Sequence, residues 1–113
     1  MITRKTERAT DRRENMRGGN GAALLTPVSK ELPKNCRLFS EIRLAPGSSI
    51  GFHVHENETE IFLFLRGKGR VMDDDREVFV EAGDSMATFS GHGHSVECVG
   101  SDELVLAAVI VRD

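Results

Sequence analysis

From residue 36 onward the chain alternates apolar and polar positions with a period of two. Leu38, Ser40, Ile42 and Leu44 take one face and Phe39, Glu41 and Arg43 the other, which is the pattern of a strand rather than a helix. Ala45-Pro46-Gly47 reads as a turn. Alternation resumes over Ser49–His55, with Gly51, His53 and His55 on one face and Ile50, Phe52 and Val54 on the other. Glu60–Leu65 is apolar on both faces, as in a strand covered on both sides. Further strands are predicted over Arg70–Met72, Glu77–Glu81, Ser85–Phe89, His94–Val99 and Leu104–Val111, and Ala22–Leu25 gives a short one ahead of Thr26-Pro27. Asp73-Asp74-Asp75, Ala82-Gly83-Asp84, Ser90-Gly91-His92-Gly93 and Gly100-Ser101-Asp102-Glu103 separate them as turns, the first a solvated acidic hairpin tip. Short strands, turn signals every 8–12 residues or so and no long helix predict an all-β barrel or double-sheet sandwich.

Residues 1–21 break the pattern. They are polar and end in Gly18-Gly19-Asn20-Gly21, which predicts a basic N-terminal arm ahead of a single domain over residues 22–113. Residues 1–20 hold six Lys/Arg and three Asp/Glu, a local excess of positive charge on a chain whose net charge is -3. A basic arm can contact nucleic acid. No aromatics interleave with these charges, so a solvated terminus, or an arm docked on the acidic remainder, is the expectation instead. The 113 residues suffice for one modest core. Cys36 and Cys98 do not make a disulfide framework. No apolar h-region opens the chain and its longest apolar run, Leu104–Val111, is too short to span a membrane. The cytoplasm is the expected compartment.

Composition narrows the chemistry. There is no Trp and no Tyr, while four His lie between residues 53 and 94. No phenol can act as acid, base or nucleophile, so imidazoles, carboxylates, thiols or a metal must carry any reaction. Residues i and i+2 of a strand share a face, so His53 and His55 project together, about 6–7 Å apart along the strand. Glu60 follows after a stretch long enough for a turn, and His94 opens a later strand that a closed barrel can return beside the first. Three imidazoles and a carboxylate suit divalent Mn, Fe, Co, Ni, Cu or Zn. The same residues also allow a plainer reading, with the histidines as ordinary strand residues and Glu60 as a solvated or salt-bridged acid.

The spacing resembles that of a known family. Gly47, five residues, His53-Val54-His55, four residues, Glu60, six residues and Gly67 is similar to the first motif of the cupins at every specified position. With this composition, five such matches arise by chance at about one starting point in a million. The second cupin motif follows in frame: Gly83, five residues, Phe89-Ser90-Gly91-His92-Gly93-His94, three residues, Cys98. Phe89 stands where the family has Pro and Cys98 where it has Asn. The segment between the motifs, Lys68–Ala82, is short, as in small single-domain cupins, and the resemblance covers roughly residues 38–111. It implies a double-stranded β-helix, or jelly-roll barrel, with one divalent transition metal (Mn, Fe, Ni or Zn) held by His53, His55, Glu60 and His94.

Cupins span many chemistries, so the resemblance does not select a function. The first expectation is a metal-dependent enzyme, of oxygenase, isomerase or decarboxylase type. Its substrate would be a small carboxylate, hydroxy-ketone or sugar acid chelated at the metal. Phe62, Phe64 and Cys98 are the candidate substrate-side residues, Arg43 or Arg70 the candidate carboxylate anchor, and His92 the candidate catalytic residue. Cupin types that depend on a site tyrosine resemble this chain less. The alternative is a non-catalytic module that binds or senses a metal and a small ligand. The apolar outer face of Glu60–Leu65 and the habit of cupins predict a homodimer, to which Ala22–Leu25 would contribute by adding to the partner's sheet. Nucleic-acid and membrane partners are not expected.

Overall fold

The computed structural model describes residues 1–113. The chain forms ten strands: β1 (Asp11–Glu14), β2 (Ala22–Pro27), β3 (Cys36–Leu44), β4 (Ser49–Val54), β5 (Glu58–Arg66), β6 (Lys68–Asp73), β7 (Arg76–Glu81), β8 (Ser85–Thr88), β9 (Gly93–Cys98) and β10 (Leu104–Arg112). They assemble into a six-stranded antiparallel sheet, β1-β2-β3-β10-β5-β8, and a four-stranded one, β4-β9-β6-β7. The two sheets face each other as a jelly-roll barrel. The only helical elements are two three-residue 3-10 turns, Lys5–Glu7 and Met16–Gly18, and no helix is long and apolar enough to cross a membrane.

The period-two pattern is what the barrel is built from. Ile42 and Phe64 both lie opposite Leu106 in neighbouring strands, so their side chains share the concave face. Phe64, Leu44, Leu104 and Leu106 are fully buried, and Val71, Val96 and Cys98 of the smaller sheet meet them from across the barrel. Burying each large side chain stabilises the fold by about 1.5–3 kcal/mol. The chain passes from β5 of the larger sheet to β6 of the smaller one at Gly67, where φ is 88° and a Cβ would lie 2.5 Å from the Glu103 carbonyl oxygen. Only glycine tolerates both demands.

The outer face of β5 is uncovered within this chain: Ile61, Leu63 and Leu65 are each more than two-fifths exposed. The alternation over Ser49–His55 is broken. Between β4 and β9, Ile50 faces Val96 and His53 faces His94, so β4 carries one extra residue, a β-bulge. The bulge turns Ile50 inward, where it joins His53 and His55 around one cavity, and leaves Phe52 exposed.

The N-terminal arm is docked. Residues 11–14 extend the larger sheet as β1, paired with β2 from Asp11–Leu25 to Glu14–Ala22. The Arg8 guanidinium donates to the carbonyls of Pro27 (2.7 Å) and Thr26 (3.3 Å). β2, whose short apolar run is expected to add to a partner's sheet, pairs instead with β3 of its own chain. Ala23 lies opposite Leu44 and Leu25 opposite Ile42 in its own chain, and both are buried in its own core.

Candidate metal centre

The bulged end of β4, the start of β5 and the start of β9 bring four side chains to one end of the barrel. The ligand atoms of His53, His55, Glu60 and His94 all lie within 4.8 Å of one another. The three imidazole centroids form a near-equilateral triangle with sides of 4.9, 4.8 and 4.9 Å, and the rings stand edge to face at 68–85°. Three of the four residues are buried; His53 is partly open to the cavity.

The hydrogen-bond partners fix which ring nitrogens point inward. His53 Nδ1 lies 2.8 Å from the Gly51 carbonyl oxygen, which only accepts, so Nδ1 carries the proton and Nε2 a lone pair. His55 Nδ1 donates to the Glu58 carboxylate at 2.7 Å, which frees its Nε2 in the same way. His94 Nδ1 sits 2.8 Å from the buried Thr88 hydroxyl, which can accept from it. Inside the triangle, His55 Nε2 is 2.9 Å from Glu60 Oε1 and 3.1 Å from His94 Nε2, and His94 Nε2 is 2.9 Å from Glu60 Oε1. Lone pairs therefore face lone pairs, which is unfavourable in a buried site unless a positive charge lies between them. Two ligand atoms about 2.1 Å from one ion and at right angles to each other stand about 3.0 Å apart. The donor set and its spacing fit a divalent transition metal.

The surroundings keep the donors in the required form. Burial pushes His53 below the usual imidazole range, and the nearby His94, Arg17 and His55 add to the effect. The Arg37 guanidinium, paired with Glu58 at 2.9 and 2.8 Å, and secondarily the His55 ring, lower the Glu58 carboxyl to about 2. It thus stays ionised and holds His55 in one tautomer, the orienting role a carboxylate plays behind a metal-binding histidine. The Phe62 ring stacks on His94, with centroids 4.8 Å apart and planes at 15°.

A cavity of about 190 Å³ opens in front of His53, His55 and Glu60. At about 30 Å³ per water it holds roughly six water-sized groups: room for a small acid, not for a nucleotide. Apolar walls come from Ile42, Ile50, Phe62 and Ile110. Arg13, Arg17 and Arg37 also line it. A larger cleft of about 470 Å³ beside Gly67 and Glu81 is open to solvent and contains none of the four.

The other expected site residues fall in different places. Phe62 lines the cavity, but Phe64 lies behind it in the core, with ring centroids 6.1 Å apart. Cys98 points inward as expected, yet at the far end of its strand, where it is buried and its thiol donates to the Asp102 carbonyl at 3.2 Å. His92 is exposed and its Nδ1 bonds Asp74 at 2.6 Å, outside the cavity lining. Arg43 sits on the outer face beside Leu65 and Val105, and Arg70 pairs with Glu97; neither lines the cavity. Sequence reasoning missed Glu58, Thr88 and the arginines of the arm. Glu58 was detectable, being two residues before Glu60 and therefore on the same strand face. Thr88 becomes visible only once β5 and β8 pair it with Glu60.

Comparison with known proteins agrees with the geometry. Residues 40–111 match the model of the cupin domain. A protein of Thermotoga maritima named oxalate-binding protein is 42% identical over 98% of this chain and 93% of its own length. The crystal structure of a predicted oxalate decarboxylase from Thermotoga maritima superposes with a TM-score of 0.92 at 39% identity, covering all of both chains. The cupin domain of Cnp3 from Schizosaccharomyces pombe superposes at 0.73 over 80% of this chain and 61% of that one; at 15% identity it shares the fold alone. With both spaced motifs folded into one jelly-roll end and the family match spanning them, the chain belongs to the cupin family.

Proposed function

We propose that this cupin holds one divalent transition metal on His53, His55, Glu60 and His94 and binds at it a small carboxylate anion of the oxalate type. The observation that carries the reading is the convergence of inward-facing lone pairs at 2.9–3.1 Å, an arrangement that calls for a cation. When bound, the ion supplies positive charge and open coordination positions for chelating oxygens. The 190 Å³ cavity suits an acid of a few carbons, and the names given to the Thermotoga maritima relative and crystal structure point to oxalate.

Binding is favoured over proton-transfer catalysis. Apart from the proposed ligands, the only titratable groups in the cavity lining are arginines, and no free carboxylic acid or imidazole stands ready as acid or base. An oxalate decarboxylase is the second reading, motivated by the predicted decarboxylase of similar fold. Incubating metal-loaded protein with oxalate and following both bound ligand and released formate or carbon dioxide separates them. Stoichiometric binding without product supports the binding reading, product formation replaces it with the enzyme, and absence of binding refutes the ligand class.

A homodimer is part of the same proposal. Ile61, Leu63, Leu65, Phe39 and Val111 form an exposed apolar band on the outer face of the six-stranded sheet. At one margin of it the Arg43 Nε is buried without a partner. A second copy would cover the band and offer a carboxylate such as Glu41 to that nitrogen. Light scattering should give twice the chain mass for the wild type and the single-chain mass for Leu63→Glu; a monomeric wild type refutes it.

A further inference from the structure

Two of the three cavity arginines come from the N-terminal arm. In β1, Arg13 lies opposite Ala23, whose side chain faces the core, so Arg13 points to the concave side and reaches the cavity. Beyond it, residues 15–19 form a tight turn closed by Gly18 N–H to the Asn15 carbonyl, Gly19 N–H to the Met16 carbonyl (both 2.9 Å) and the Asn15 side-chain amide to the Gly19 carbonyl (3.1 Å). This turn lies directly on β4. A Cβ on Gly51 would meet the Arg17 carbonyl oxygen at 2.0 Å, and one on Gly19 would meet the Ser49 carbonyl oxygen at 2.2 Å. Asn20 and Ser49 latch it further, with hydrogen bonds of 2.8 and 2.9 Å. The close approach places Met16 and Arg17 in the cavity wall.

Arg17 is unusual in two ways. Its backbone is left-handed, φ 54° and ψ 30°, a conformation uncommon for a long side chain and often stored at functional sites. Its guanidinium has no hydrogen-bond or ion-pair partner. The other two cavity arginines are compensated: Arg13 pairs with Asp11 at 2.8 Å and Arg37 with Glu58 at 2.8 Å. Those pairs cancel. A divalent ion on three neutral imidazoles and the Glu60 carboxylate leaves one net positive charge, and Arg17 adds a second. The cavity so balanced is neutralised by a dianion.

We propose that Arg17 is a ligand-binding residue: its guanidinium receives the outer oxygens of a small dicarboxylate whose inner oxygens face the metal, and the docked arm exists to carry it there. Planar guanidinium and carboxylate groups pair through two parallel charge-assisted hydrogen bonds. This makes the arm part of the binding site and gives it selectivity for dianions over monoanions. The inference rests on the metal-and-carboxylate reading above.

The test uses full-length protein loaded with Mn²⁺, titrated calorimetrically with oxalate and, separately, with formate. The variants are Arg17→Gln and Arg17→Lys; the side chain is exposed and unpaired, so both should fold. Metal stoichiometry should be unchanged in all three proteins. Oxalate affinity should fall at least tenfold in Arg17→Gln and recover partly in Arg17→Lys, with formate affinity changed less than twofold. Oxalate affinity within twofold of wild type in Arg17→Gln overturns the role of Arg17 and leaves the metal reading standing. A wild type that takes up no metal, or takes it up and binds no oxalate, overturns the functional reading and this inference with it.

Discussion

Replacing Thr88 with Val tests whether the centre is organised for a metal or merely packed. Thr88 and His94 are each 1% exposed, and their side chains are joined by a 2.8 Å hydrogen bond. For His94 to ligate through Nε2 as a neutral ring, Nδ1 must carry the proton and donate to the Thr88 oxygen. Valine has nearly the same shape and no acceptor, so the substitution leaves a buried N–H without a partner. That costs about 1–3 kcal/mol, a penalty the His94 ring can escape only by protonating the other nitrogen and losing its inward lone pair. The stack against Phe62 still holds the ring in place, so the fold survives while the donor is spoiled. Loss of such an orienting partner lowers metal affinity by about 10–100-fold. Competition against a chelator of known affinity measures it, with thermal unfolding of the metal-free protein as control, and Thr88→Ser should restore most of the affinity. A folded Thr88→Val protein that binds metal within twofold of wild type would refute the assignment of Thr88 as the group that sets the His94 tautomer.

Three further outcomes follow from the same geometry. Gly51→Ala should push the 15–19 turn off β4, because the new methyl group meets a backbone oxygen at 2.0 Å that cannot yield without moving the chain; limited proteolysis should then cut between residues 14 and 20, where wild type is protected. Phe62→Ala should cost about 3–5 kcal/mol in denaturant unfolding, since the ring is 2% exposed and packs on both Phe64 and His94. The Asp74 carboxyl lies below its ordinary value, through the Gly93 N–H first and the His92 ring second. A depressed folded value means its contribution to stability is complete above the usual aspartate range near pH 4 and fades as pH falls through the lower folded value. Unfolding midpoints of Asp74→Asn should therefore be less sensitive to pH than those of wild type below about pH 4, and equal slopes would refute it.

What the sequence revealed, and what it concealed, divides along physical lines. Strands and their turns were readable because alternation is local, and the cluster of His53, His55, Glu60 and His94 because its spacing is a pattern in the chain itself. Which face a residue takes was also readable: Phe64 and Cys98 do point inward. How far along the barrel they lie was not, since depth depends on strand register, and both fall below the cavity rather than in it. The bulge between Ile50 and His53 leaves no trace in periodicity because it is the failure of periodicity at one residue. The route of the arm was the least legible part: docking was one of two open alternatives, and nothing local pointed to β4. Asp11–Glu14 is entirely charged, so hydrophobic alternation is silent there. Its docking depends on two glycines, Gly19 and Gly51, whose backbones touch across 32 positions of sequence. Nothing in the sequence sets Arg17 apart from the other five cations of residues 1–20, yet it lines the cavity. The expected carboxylate anchors, Arg43 and Arg70, sit on regular strands and point outward.

The central claim is that His53, His55, Glu60 and His94 hold a metal ion. Elemental analysis of protein purified without chelators and without a histidine tag tests it most directly. The wild type should carry, or take up on loading, close to one equivalent of a divalent transition metal, and the double variant His53→Ala/His55→Ala essentially none. A folded wild type that is metal-free and cannot be loaded with Mn, Fe, Ni or Zn would contradict the account.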